Sequence, residues 1–301
     1  MIARRFHSAA RVATLLLAWG AILQADTLES HALQTLTRVL ESEPSSEQIH
    51  AAEALIKFGC APQVHTWLSR DGTKHGDTPV YRVIFWRALA GSTPSPAERQ
   101  MLVDKILAIA ATPGLPDRLH AIESAAKLRA PVPADMVPEL QTLAAALPER
   151  DGVFVHWLLW RSHPPDNPAG AFVRWLDSPD SVTRLRAAHM LRWLPPSDPA
   201  VHDALTRAAR ISTTRDLATA IIIGAAALLQ TAPADHTLWR ERLEPIAHGS
   251  DPTPAYHALQ GLAALYCRED LPLIAALLDH PHPSVRVGAA WAILAVERRD
   301  D

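Results

Sequence analysis

The chain has 301 residues, 48% of them hydrophobic and 20% charged, enough apolar material for a large core. With 29 basic and 32 acidic residues the formal net charge is −3, which argues against nucleic acid as a partner, because phosphate binding needs a basic excess on some face. Only 12 glycines stand against 25 prolines, a balance that excludes a fold built on glycine turns and suits short Ala- and Leu-rich helices with proline at first turns and links.

Residues 1–25 read as a signal peptide. Arg4, Arg5 and Arg11 give a basic start, and Val12 to Leu23 an apolar core of fitting length. That run is too short for a membrane span. The expected product is an exported protein, periplasmic or secreted, folded over residues 26–301 and without a stable membrane span after cleavage.

Next in the chain, His50, Glu53 and Lys57 recur in spacing as His120, Glu123 and Lys127, with an echo at His257 and Gln260. On a helix each set shares one face. Two readings are open. His50, Glu53, His120 and Glu123 are candidate metal ligands, since His and carboxylate on adjacent turns hold iron in di-iron bundles. The preferred reading is a row of surface ion pairs, with Glu four residues before Lys and no cofactor. The polar segment Leu68–Thr78 lacks phosphate-loop spacing and reads as a loop between helices.

Tryptophan concentrates in mid-chain, at Trp157, Trp160, Trp175 and Trp193, with arginines around it. Trp and Arg are enriched at binding hot spots. Trp157, Trp160, Arg161, Arg184, Arg186 and Trp193 are therefore the candidate partner-binding set. The alternative is that these tryptophans fill space between stacked helices. Cys60 and Cys267 are expected to be buried and unpaired, because stacked repeats would hold them well beyond the ~7 Å reach of a disulfide. His280 and His282 read as exposed turn residues. No Gly-x-Ser-x-Gly occurs, so no catalytic residue is assigned.

Self-similarity gives the fold. Pro113, Pro179 and Pro281 are each followed by Arg at five residues, an aliphatic residue at six and Ala at eight: Arg118 and Ala121, Arg184 and Ala187, Arg286 and Ala289. Pro44 has Ala52 at the same offset, and similar starts fall at Pro79, Pro148, Ser212 and Pro252. The period is about 34 residues, eight times over. Each unit holds two helix-length apolar patterns, and a small residue at the recurring position lets two helices approach closely.

Leu277-Leu278-Asp279 followed by Val285-Arg286, Ala289-Ala290 and Ile293-Leu294 resembles the HEAT-repeat consensus, and Trp175-Leu176-Asp177 followed by Arg184, Ala187-Ala188 and Leu191 is a second copy. The resemblance implies an all-α, right-handed α-solenoid of about eight HEAT-like helix pairs. It implies that Asp caps the turn, that Arg bonds into a ladder between repeats, and that the second helix of each pair lines the concave side. The function it implies is a non-catalytic scaffold for a protein or peptide on that concave face. The alternatives are a metal-dependent hydroxylase or lyase on the same scaffold, and an accessory subunit of an exported hydrolase.

Overall fold

The computed structural model describes residues 28–42, 45–71, 78–162, 169–192 and 198–299. The expected signal segment, Pro44, residues 72–77 and Trp193 lie outside them, as does the side chain of Arg161. The described residues are helical and contain no strand.

The helices alternate between two roles. The first set comprises α1 (28–40), α3 (Ala61–Asp71), α5 (Pro96–Ala111), α7 (Val137–Ala146), α9 (Ala169–Leu176), α11 (Pro199–Ile211), α13 (His236–Ala247) and the four-residue α15 (Pro272–Ala275). The second comprises α2 (Ser46–Lys57), α4 (Tyr81–Ser92), α6 (Arg118–Lys127), α8 (Glu149–Ser162), α10 (Ser181–Leu191), α12 (Leu217–Leu228), α14 (Pro252–Leu262) and α16 (Pro283–Glu297). Each even helix packs on the even helices before and after it, and α16 packs on α2. The even helices thus form a closed inner circuit, with the odd helices outside.

The sequence frame explains the register. Each described start, from Pro79 to Pro281, lies at or just before an even helix. Ala52, Ala121, Ala187 and Ala289 are all fully buried, as expected where inner helices meet. The closest approach uses glycine. A Cβ placed on Gly261 of α14 would lie 2.8 Å from Gly224 Cα on α12. One on Gly288 of α16 would lie 3.1 Å from Tyr256 Cα on α14. These helices touch backbone to backbone.

The recurring Asp and Arg have other jobs than the resemblance implies. Arg184 donates to the Ser178 and Pro179 carbonyls (2.6 and 2.9 Å), and Arg286 to those of His280 and Pro281 (2.8 and 2.9 Å). Arg118 likewise donates to Ala110 O at 2.8 Å. In each case the arginine ties down the turn of its own unit, where unpaired carbonyls collect at a helix end. The aspartates make the link between units instead. Asp177 pairs with Arg207 of α11 at 2.9 Å, and Asp279 sits 3.5 Å from His31 of α1. Capping falls to Asp180 for α10 and His282 for α16.

The Asp279–His31 contact is the Asp177–Arg207 contact repeated across the seam. There the last unit meets the first. Arg298 pairs with Glu29 at 2.6 Å and donates to Phe58 O at 2.6 Å, and Ser284 donates to Glu47 at 3.0 Å. The argument separating Cys60 from Cys267 therefore fails, because a closed circuit brings first and last units together. Both thiols are nonetheless free, and neither is buried as expected: Cys60 is half-buried and Cys267 exposed, with its thiol 3.1 Å from Asp270.

A polar cavity where the inner helices converge

The inner circuit encloses a cavity of about 430 Å³. Every inner helix except α8 lines it. Polar side chains reach it from a consistent place in the repeat: one or two residues after the recurring alanine, and five or six after. Those positions are Glu53 and Lys57 after Ala52, Lys127 after Ala121, His189 and Arg192 after Ala187, and Trp291 after Ala289, with Glu123 bonded to Lys127 behind the wall.

Two ion pairs occupy the first layer. Glu53 accepts from Arg87 at 2.7 Å, and Arg87 also donates to Ser124 at 3.0 Å. Glu123 meets Lys127 at 2.6 Å and His189 Nε2 at 3.4 Å. Burial is the largest influence and pushes both carboxylates upward, but the surrounding groups together outweigh it, Arg87, Lys127 and His50 at Glu53 and Lys127, His189 and Arg87 at Glu123. Both end below the ordinary range, Glu123 well below. Burial works the other way on imidazole. It pushes His189 down to about 4, with Lys127 adding repulsion, and it lowers His50 and His257 as well. The three histidines are therefore neutral at pH 7. His50 stacks on Tyr256, centroids 4.8 Å apart, and the Nδ1 atoms of His50 and His189 are buried without a hydrogen-bond partner.

The second layer carries two more cations. Arg192 donates to Gln260 Oε1 at 2.7 Å and contacts His257 Nδ1 at 3.4 Å. Gln260 in turn donates to the Tyr256 hydroxyl at 2.8 Å. Lys57 Nζ lies 4.5 Å from the centre of the Trp291 ring. These partners are all neutral. Among the described residues no carboxylate pairs with either cation, and burial lowers the pKa of both, with repulsion from Arg192 adding to the effect at Lys57. Four cations thus face two carboxylates, and the excess positive charge is concentrated at Lys57 and Arg192.

The cavity collects only part of the residues singled out in the sequence. His50 and Glu53 line it and Glu123 is bonded to two residues that do, Lys127 and His189, whereas His120 is exposed and does not line it. Both carboxylates are held by cations, and among the described residues no three His, Cys, Asp or Glu side chains are grouped to hold a metal. Nor are the pairs a surface row, since Arg87 is buried and Lys127 nearly so.

Among the described residues the tryptophan set is not brought together as a groove. Trp157 is 1% exposed and packs in the core, which leaves it no surface to offer a partner. Trp160 is half-buried and meets Phe172 edge-on at 6.4 Å. Arg184 is occupied with its own turn, and Arg186 with Asp151, the Arg150 carbonyl and the Phe154 ring. His280 and His282 organise the last turn, each accepting a backbone N–H through Nδ1.

Sequence reading missed Arg87, His189, Arg192, Tyr256 and Trp291. For His189, Arg192 and Trp291 the signal was available in the frame, a polar or aromatic residue just after the buried alanine and again one turn later; Arg87, which stands at the alanine position of its own unit, and Tyr256 lie outside that rule. No helix among the described residues is long and apolar enough to cross a membrane. No family model matches the chain, and no curated protein or solved structure matches it.

Proposed function

We propose that the chain is a closed ring of eight HEAT-like helix pairs that binds a small, negatively charged molecule in its central cavity. The observation that carries this reading is the pair Lys57 and Arg192 on the cavity wall, one exposed and one half-buried, whose partners are neutral, beside two cations that are paired with carboxylates. Burial disfavours the charge of both groups, and an anion held between the two would offset that cost. The volume fits the usual 300–1,000 Å³ of small-molecule sites and is too small for a folded partner. The concave-face binding expected from the sequence thus becomes binding of a small ligand, with no chemical step assigned. The basic and apolar N-terminal segment supports export to the periplasm or medium. N-terminal mass spectrometry of the protein recovered outside the cytoplasm tests that point, and an intact Met1 refutes it.

Thermal unfolding with acetate, benzoate or inorganic phosphate at constant ionic strength tests the site. A ligand bound only by the folded state raises Tm with its concentration. At least one of these anions is expected to do so, and Arg192→Gln and Lys57→Gln are expected to reduce the shift. No shift with any of them, or an undiminished shift in both variants, refutes the reading.

A further inference from the structure

The cavity does not end at Lys57. A second hollow of about 440 Å³ adjoins it at the C-terminal ends of α2, α12, α14 and α16 and shares Lys57, Leu228 and Trp291 with it. Both hollows combine charged and apolar side chains. The inner one is lined by Glu53, Arg87, Lys127 and Arg192 together with Ile56, Ala88, Leu128 and Leu228. The outer one is lined by Phe58, Ala263, Ala264 and Ala295 together with Gln230, Arg298 and Arg299. Those arginines are engaged: Arg298 bonds Glu29 and Phe58 O, and Arg299 bonds the carbonyls of Ala263 and Tyr266. They complete helix ends and offer a ligand less charge than their number suggests. Leu228 stands between the two hollows and is 39% exposed, one of few large apolar side chains left so open, and its exposed surface lies where both hollows meet.

Two further features point the same way. Toward α4 and α6 the inner cavity is bounded by Ala88, Gly91 and Leu128 beside Arg87 and Lys127, whose charges are paired with Glu53 and Glu123, so apolar wall adjoins cations that are already satisfied. Lys57 lies against the indole of Trp291, which places a cation beside the aromatic surface that separates inner from outer space. An inorganic anion would satisfy the charges and leave the apolar walls wet. A neutral apolar molecule would cover the walls and leave the charges unmatched.

Resting on the anion reading above, we infer that the ligand is an amphipathic carboxylic acid, its carboxylate between Lys57 and Arg192 and its hydrocarbon body running past Leu228 and Trp291 into the outer hollow. A carboxylate has two oxygens and room for a cation at each. The body removes apolar wall from water, which gives the site a preference for chain length as well as for charge.

Isothermal titration of the full chain with acetate, butyrate, hexanoate and octanoate, and with 1-octanol and inorganic phosphate, separates the possibilities. Affinity is expected to rise two- to fourfold per added methylene while the passage has room. Octanoate is expected to bind at least tenfold more tightly than 1-octanol. Leu228→Ser, at an exposed position the fold tolerates, is expected to flatten the length dependence while leaving acetate unchanged. Acetate and phosphate binding as tightly as octanoate would overturn the amphipathic ligand and leave the anion site standing. Octanol matching octanoate, or no binding by any acid, would overturn both.

Discussion

The contact between α12 and α14 makes a sharp stability prediction. Ala at position 261 would put its Cβ 2.8 Å from Gly224 Cα and 3.0 Å from Leu243 Cδ1. Carbon atoms in contact prefer ~3.5–4.0 Å, so the methyl group is short of room by about 1 Å. Leu243 can rotate away, but Gly224 offers only backbone, so the helices must separate. Overpacking of this kind costs ~1–3 kcal/mol, and a clash with backbone belongs at the upper end. Replacing Gly by Ala inside a helix returns ~1 kcal/mol of propensity. Gly261→Ala should therefore destabilise by about 2 kcal/mol. Gly224→Ala should cost less, because its nearest neighbour would lie at 3.3 Å. Gly170→Ala on α9 meets nothing within 4 Å and should be neutral or stabilising by up to ~1 kcal/mol. Urea unfolding midpoints at constant slope measure all three. Gly261→Ala as stable as Gly170→Ala would refute the close approach, and with it the placement of Gln260 against Arg192.

Glu53→Ala leaves Arg87 buried with Ser124 as its remaining partner and should cost ~3–5 kcal/mol in urea unfolding; a loss below ~1 kcal/mol would mean that water reaches the pair freely. His189 titrates near 4 in the fold against 6.5 unfolded, so the unfolded chain takes up its proton first as pH falls. Its contribution is complete above pH 6.5 and is lost between pH 6.5 and about 4, roughly 3 kcal/mol by linkage. His189→Gln should flatten that part of the stability profile, and an unchanged slope would count against a neutral, enclosed imidazole. Trp157→Ala should cost ~3–5 kcal/mol as a core truncation, measured by urea unfolding, with a smaller loss for half-buried Trp160→Ala.

The repeat was legible because packing imposes it on sequence. A residue between two close helices has to be small, and Ala52, Ala121, Ala187 and Ala289 announce that constraint at a fixed offset from a helix start. Helix breakers announce the turns for the same reason, since backbone geometry permits proline in few other places. Tryptophan carries no such positional rule. Trp157 and Trp160 share a helix face whether that face is core or groove, and only the neighbouring elements decide which it is.

The cavity was legible in part for a different reason. The His50/Glu53 and His120/Glu123 match was found by spacing along one helix, and spacing alone treats both ends of the match alike. Registration against the buried alanine separates them. Glu53 stands one residue after Ala52 and Glu123 two after Ala121, so the two sets are out of register by one residue: His50 lines the cavity, His120 is exposed, and the imidazole that meets Glu123 is His189 from α10. That pairing is a property of the closed circuit. Glu123 on α6 meets His189 on α10, and His50 on α2 stacks on Tyr256 of α14, each contact skipping one inner helix. In an open solenoid these helices would face solvent along a broad surface, and an inward polar stripe would be an ordinary solvated face. Closure turns the same stripe into an enclosed cluster, where each charge has to find a partner or keep the cost of burial. The seam therefore bears on the site: Arg298 with Glu29 and Ser284 with Glu47 hold α16 against α2, and that contact sets Trp291 against Lys57.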